Sequence, residues 1–302
     1  MSQNVPDLSG IHVPFITPFE KDELSEGKLR ETLQWLRQFD LRGFVALGST
    51  GEAILLSPRE RTAVLKISRE MIPPDRLHIA GTMFESEKAH REFIRECADL
   101  GVDAMLVLPP RYYRGQMRPE ILLDFYSRLA DDSPLPLIIY HFPAVTGISM
   151  SAGLIARIAA HPKVIGIKDS SANISLQQEL IGMHLPEFAV LTGSANTLAP
   201  SGIAGAAGGI VAFANLAPEI CLNIWQCVQR ANLVEAREQQ LKIVRLNTLL
   251  TKVYGVGGLK YAIEFLGRYG GAPRLPLRTP DKEGQTKIQA EMEKIKAIFT
   301  KS

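Results

Sequence analysis

Apolar and polar positions along this chain follow two rhythms. Eight short runs of mostly apolar, often β-branched residues lie at 11–16, 43–47, 77–81, 104–108, 135–140, 164–168, 188–191 and 208–213. Runs of this length and composition read as buried strands. Between them lie segments with apolar residues at helical spacing, among them 26–39, 58–71, 86–100, 118–129, 151–160 and 176–183. The runs recur every ~20 to 35 residues, the spacing of βα units joined by crossover helices. Eight such units predict a parallel (β/α)8 barrel. An open doubly wound sheet is the rival, but no GxGxxG follows the first run and no Walker motif occurs.

After the eighth run the strand rhythm stops. Segments 218–230, 233–250, 257–269 and 286–300 all read as helices. One of them closes the barrel, so residues 1–230 are expected to form the barrel domain and 231–302 a C-terminal helical extension. Amphipathic helices left over once a core is closed suit contacts between copies of a chain.

Composition narrows the class. The chain has 302 residues, 46% of them hydrophobic, enough for a large core in a single barrel domain. A net charge of +2 without a Lys/Arg block excludes the electrostatic footprint of a nucleic-acid binder. Cys97, Cys221 and Cys227 lack metal-type spacing and are expected to be reduced thiols. Six scattered histidines form no zinc-type pair, and no GxSxG elbow marks a serine hydrolase. Residues 1–10 carry no basic-then-apolar leader, and no run reaches transmembrane length. The expectation is a soluble, cytoplasmic protein without membrane or nucleic-acid partners.

The candidate chemistry lies at the ends of the runs, because barrel active sites sit at the carboxyl ends of the strands. Lys168 ends the sixth run. An ammonium buried without a partner favours losing its proton, and a neutral amine attacks carbonyl carbon to form a Schiff base. The rival reading is a strand cap or an ion pair with Asp169. Tyr140 ends the fifth run and is placed to pass protons near that lysine. Gly48-Ser49-Thr50-Gly51-Glu52 ends the second run. Glycines around two hydroxyls make a turn suited to a carboxylate, although Ser57 to Glu60 resembles a helix capping box just downstream. Tyr112, Tyr113 and Arg114 follow the fourth run in a proline-bounded loop that suits covering a site or reaching a neighbour.

In combination these residues resemble the dihydrodipicolinate synthase / N-acetylneuraminate lyase family of pyruvate-dependent class I aldolases. The likeness spans about residues 10–295 and rests on Gly48 to Glu52, Tyr140 with Pro143 and Gly147, and Gly166-Ile167-Lys168-Asp169. It implies a (β/α)8 barrel with a helical extension, assembled as a homotetramer of tight dimers. It also implies pyruvate and an aldehyde as partners, with no metal or organic cofactor. Lys168 would form the Schiff base and Tyr140 would relay protons. Ser49, Thr50 and Gly51 would bind the pyruvate carboxylate, and Ser49 and Thr50 would also hand protons to Tyr140. Tyr112 or Tyr113, with Tyr112 preferred, would enter the neighbour's relay. Dihydrodipicolinate synthases usually carry an arginine where this chain has Val145, and N-acetylneuraminate lyases an aromatic-threonine pair where it has Asp169-Ser170. The loop 112–117, Lys168-Asp169-Ser170 and the segment 258–271 resemble 4-hydroxy-2-oxoglutarate aldolase instead. Thr50 departs, because that group often has asparagine there. Ser170 is then a candidate contact for the distal carboxylate, with Gly193 near the adduct. The synthase, a 2-keto-3-deoxy sugar acid aldolase or dehydratase, and a barrel that binds 2-oxo acids without turnover are the alternatives.

Overall fold

The structure, a computed structural model, describes residues 5–295. Eight parallel strands close into a barrel in sequence order: Gly10–Pro14, Gly43–Ala46, Leu77–Thr82, Ala104–Val107, Leu137–His141, Val164–Asp169, Ala189–Thr192 and Gly208–Ile210. The first strand pairs with both the second and the eighth, so the sheet has no free edge. Each predicted run overlaps one of these strands, with bounds that differ by at most three residues. A two-stranded hairpin, Phe19–Glu20 with Glu23–Leu24, was not expected from the pattern. Its strands are too short to show a period.

The crossover helices bury the faces that the periodicity marks. Helix Pro58–Met71 starts on the expected capping box, with Ser57 and Glu60 bonding each other's backbone amides. Helix Leu198–Ile203 supplies the crossover that the pattern left faint, because Pro200 and Gly202 interrupt its spacing. Apolar residues on the helix side of the sheet form one core, and Val45, Ile79, Leu106, Ile138, Tyr140 and Leu191 belong to a second one inside the barrel.

Helix Pro218–Gln229 packs beside the first strand and leads into the extension, Leu233–Thr248, Gly255–Phe265 and Lys282–Lys294. The last helix starts earlier than predicted because Asp281 caps it, its carboxylate accepting from the Gly284 amide at 2.8 Å. Residues 296–300 of the predicted helix lie outside the described residues. The extension lies over the carboxyl-end loops: Gln240 bonds the Ala195 carbonyl and the Ala199 amide, and Arg268 bonds the carbonyls of Asn215 and Leu216.

Candidate active site

The site is built on the fifth and sixth strands. Leu137 pairs with Val164, but the next pair is Ile138 with Gly166, so Ile165 is an extra residue on the sixth strand. This bulge brings Tyr140 opposite Lys168. Without it Tyr140 would face Ile167. Bulges of this kind re-aim side chains, and one-residue slips exchange the two faces of a strand. Ile139 and Ile167 pack in the outer core, which leaves Tyr140 and Lys168 facing the barrel interior.

Lys168 is 4% exposed and Tyr140 2%. The Lys168 ammonium nitrogen stands 4.2 Å from the centre of the Tyr140 ring. No carboxylate ion-pairs with it among the described residues, so the expected rival, a pair with Asp169, does not form. The Tyr140 hydroxyl is 3.3 Å from the Ser49 hydroxyl, which joins the fifth strand to the Gly48–Glu52 turn. In that turn the Gly51 and Glu52 amides bond back to the carbonyls of Gly48 and Ser49. Thr17 holds the Gly51 carbonyl at 2.7 Å from outside. The Ser49 and Thr50 amides make no hydrogen bond among the described residues, so two hydroxyls and two amides remain for an anion.

Asp169 takes the opposite face of the strand. Its carboxylate accepts from His141 Nδ1 at 2.9 Å, Gln177 Nε2 at 3.0 Å and the Ser171 amide at 3.0 Å. His141 Nε2 in turn accepts from the Met150 amide, which assigns the ring proton to Nδ1. Burial alone would raise the Asp169 carboxyl, but the bonds from His141, Gln177 and Ser171 hold it below its ordinary value. His141 ends the fifth strand, next to Tyr140. Its distance of 28 positions from Asp169 equals that of Tyr140 from Lys168, and the shared spacing was the available signal.

Ser170 and Gly193 come together just past the carboxyl ends of adjacent strands. The Gly193 amide donates to the Asp169 carbonyl at 2.7 Å, and a Cβ on Gly193 would stand 2.0 Å from Ser170 Oγ. Tyr112 and Tyr113 are exposed and pack edge to face at 5.0 Å. Glu85 anchors their loop by accepting from the Arg111 and Tyr112 amides. Val145 is half exposed on the short helix Pro143–Thr146 that follows Tyr140. Next to it an unpredicted contact appears. The Arg114 guanidinium lies where Gly147, at φ 66°, would carry a side chain, with Nη1 3.0 Å from the Cβ position. Arg114 has no carboxylate partner among the described residues. A separate cavity of about 560 Å³ opens between Trp35, Glu264 and Tyr269, and none of the candidate site residues lines it.

A closed parallel barrel whose strand ends oppose a buried lysine and a tyrosine, beside a hydroxyl-bearing turn, is the frame of a barrel lyase. The sequence model of the dihydrodipicolinate synthetase family matches residues 7–295, and the chain belongs to that family. It is therefore an enzyme of the aldolase and lyase kind. It is 30% identical over 286 residues to a protein of Emericella nidulans named "Probable 4-hydroxy-2-oxoglutarate aldolase, mitochondrial", with 93% of this chain and 92% of that one covered. It is 31% identical to the L-threo-3-deoxy-hexylosonate aldolase of Hypocrea jecorina, covering 89% and 90%. The chloride-inhibited dihydrodipicolinate synthase of Acinetobacter baumannii, solved with pyruvate, superposes with a TM-score of 0.90 at 28% identity, covering 95% and 98%. Among the described residues no helix is long and apolar enough to cross a membrane.

Proposed function

We propose that the protein cleaves a 4-hydroxy-2-oxo acid reversibly to pyruvate and an aldehyde through a Schiff base on Lys168, with 4-hydroxy-2-oxoglutarate, and hence glyoxylate, as the first candidate. The observation that carries this is the buried Lys168 amine, unpaired by any carboxylate and set against Tyr140, whose hydroxyl reaches Ser49. The neutral amine adds to the C2 carbonyl, and the carbinolamine hydroxyl leaves as water with a proton from Tyr140, which forms a protonated imine and leaves Tyr140 as the phenolate. The C3–C4 bond then breaks as the 4-hydroxyl gives its proton to Tyr140, and the bond's electrons pass into the imine. The aldehyde departs. Tyr140 returns that proton to the enamine at C3, and hydrolysis of the imine by water releases pyruvate and the free lysine as Tyr140 takes back its proton. Ser49 and Thr50 hold the C1 carboxylate.

A dicarboxylic substrate has a second carboxylate, which a cation would hold. Val145 offers no charge, so the cation is Arg114, whose guanidinium lies against Gly147; Ser170 is a candidate neutral donor. This favours the 2-oxoglutarate aldolase over the 3-deoxy sugar acid aldolase, whose substrate ends in hydroxyls. The synthase reading also asks for a carboxylate clamp, so a panel of aldehydes separates the two. Exposed Tyr112, with Tyr113 beside it, fits donation into a second copy of the chain, within the homotetramer the family resemblance implies.

Borohydride reduction in the presence of pyruvate, followed by peptide mass mapping, is expected to place the adduct on Lys168. Lys168→Ala is expected to abolish both adduct and turnover. A variant with wild-type rates overturns the Schiff-base reading. Arg114→Leu is expected to raise KM for 4-hydroxy-2-oxoglutarate about tenfold or more, while pyruvate trapping is unchanged. Equal KM values would remove Arg114 from the site.

A further inference from the structure

The C-terminal extension contributes no residue to the chemistry above, yet it sets a buried charge against the last residue of the Gly48–Glu52 turn. Lys260, on helix Gly255–Phe265, is fully buried, and its Nζ stands 2.5 Å from Glu52 Oε1. Glu52 is the residue that closes the turn, held at φ 55° with its amide on the Ser49 carbonyl. Its second oxygen accepts from the Arg274 amide at 2.8 Å. The Arg274 guanidinium continues to Glu60, with contacts of 2.7 and 2.8 Å, and to the Leu55 carbonyl. Phe19 lies under both cations, with Lys260 Nζ 4.4 Å and the Arg274 guanidinium carbon 4.3 Å from its ring. Both ends of the turn's last residue are thus tied, its backbone to Ser49 and its carboxylate to two points of the extension.

We infer that Glu52 and Lys260 are positioning residues through which the extension holds Ser49 and Thr50 in the geometry that binds the substrate carboxylate. The inference rests on the proposed role of that turn. A left-handed, non-glycine residue persists only where its surroundings over-determine it. A buried pair in which each carboxylate oxygen has its own partner supplies that constraint, and it ties a remote helix to the site.

The test uses the full-length protein with Glu52→Gln, Lys260→Met and the double variant. Each single change leaves one buried group without its partner and is expected to raise KM for the 2-oxo acid about tenfold or more, with kcat within about threefold. The double variant is expected to recover much of the loss. Ile288→Val, a core change on the last helix, serves as the control for lost stability. Wild-type KM in folded single variants, or the same rise in the control, overturns the inference. So does a loss confined to kcat. Hydrogen exchange on the wild type gives an independent reading. Saturating pyruvate is expected to slow exchange in peptides 48–56 and 257–276 together, and protection of the first alone overturns the coupling. If wild-type protein shows no pyruvate adduct on Lys168, the underlying functional reading fails. If the adduct forms while the variants keep wild-type KM, only this inference fails.

Discussion

Ser170 and Gly193 show how little room the site has. With 2.0 Å between the position of a Cβ at 193 and Ser170 Oγ, and 3.0 Å to the Asp169 carbonyl, a methyl group displaces the serine or parts the strands. Gly193→Ala is expected to lower kcat/KM by about tenfold or more, since small misplacements of a binding group are costly. Steady-state kinetics on protein of wild-type melting temperature checks this, and an unchanged kcat/KM would show that neither residue meets substrate. Lys168 was legible from the chain because a lysine ending an apolar run is conspicuous. Arg114 was legible only as part of a loop. Its approach to Gly147 joins segments more than thirty positions apart, and no local pattern encodes such a contact.

At the scale of elements, the fifth and sixth strands are joined at their ends by His141 and Asp169. The pair stands one residue beyond Tyr140 and Lys168 in the same register. Removing the carboxylate leaves His141 Nδ1, Gln177 Nε2 and the Ser171 amide without an acceptor in a buried place. Asp169→Ala is expected to cost about 3 kcal/mol or more of folding stability, since each buried donor left without an acceptor costs about 1–3 kcal/mol. Urea unfolding measures it, and a loss below about 1 kcal/mol, the scale of a single neutral hydrogen bond, would deny the pair its structural role. The strands themselves were legible because each is a short apolar run. Helix Leu198–Ile203 was faint for the opposite reason: Pro200 and Gly202 break its periodicity, and Trp225 packs so close to Gly202 that a Cβ there would stand 2.9 Å from its ring.

For the whole molecule, three buried histidines set the response to acid. Burial holds His12 and His90 at about 4 and His78 at about 3. The unfolded chain takes up these protons near 6.5, and the folded one only at much lower pH. Their contribution is therefore complete above pH 6.5 and is lost as pH falls from there toward 4. The Glu60 carboxyl, drawn to about 2 by its hydrogen bonds from Arg274, adds its own loss only below its ordinary range. Calorimetry is expected to show the melting temperature falling between pH 6.5 and 4.5, with a shallower fall in His90→Gln. A flat profile over that window would contradict the buried neutral histidines.

By itself the chain determined the (β/α)8 plan, since alternating runs of strand length and helical segments leave few ways to bury their apolar faces. It also determined which residue types end the strands, because position at a run's end is a local property. Tertiary structure alone decided which of those residues meet. The extra residue Ile165 turns Lys168 toward Tyr140, and its effect depends on pairing with a strand more than twenty positions away. The Glu52–Lys260 contact joins residues about two hundred positions apart, where only closure of the barrel brings the extension over the turn. Register and long-range pairing arise from packing the whole sheet at once, so no window of sequence contains them.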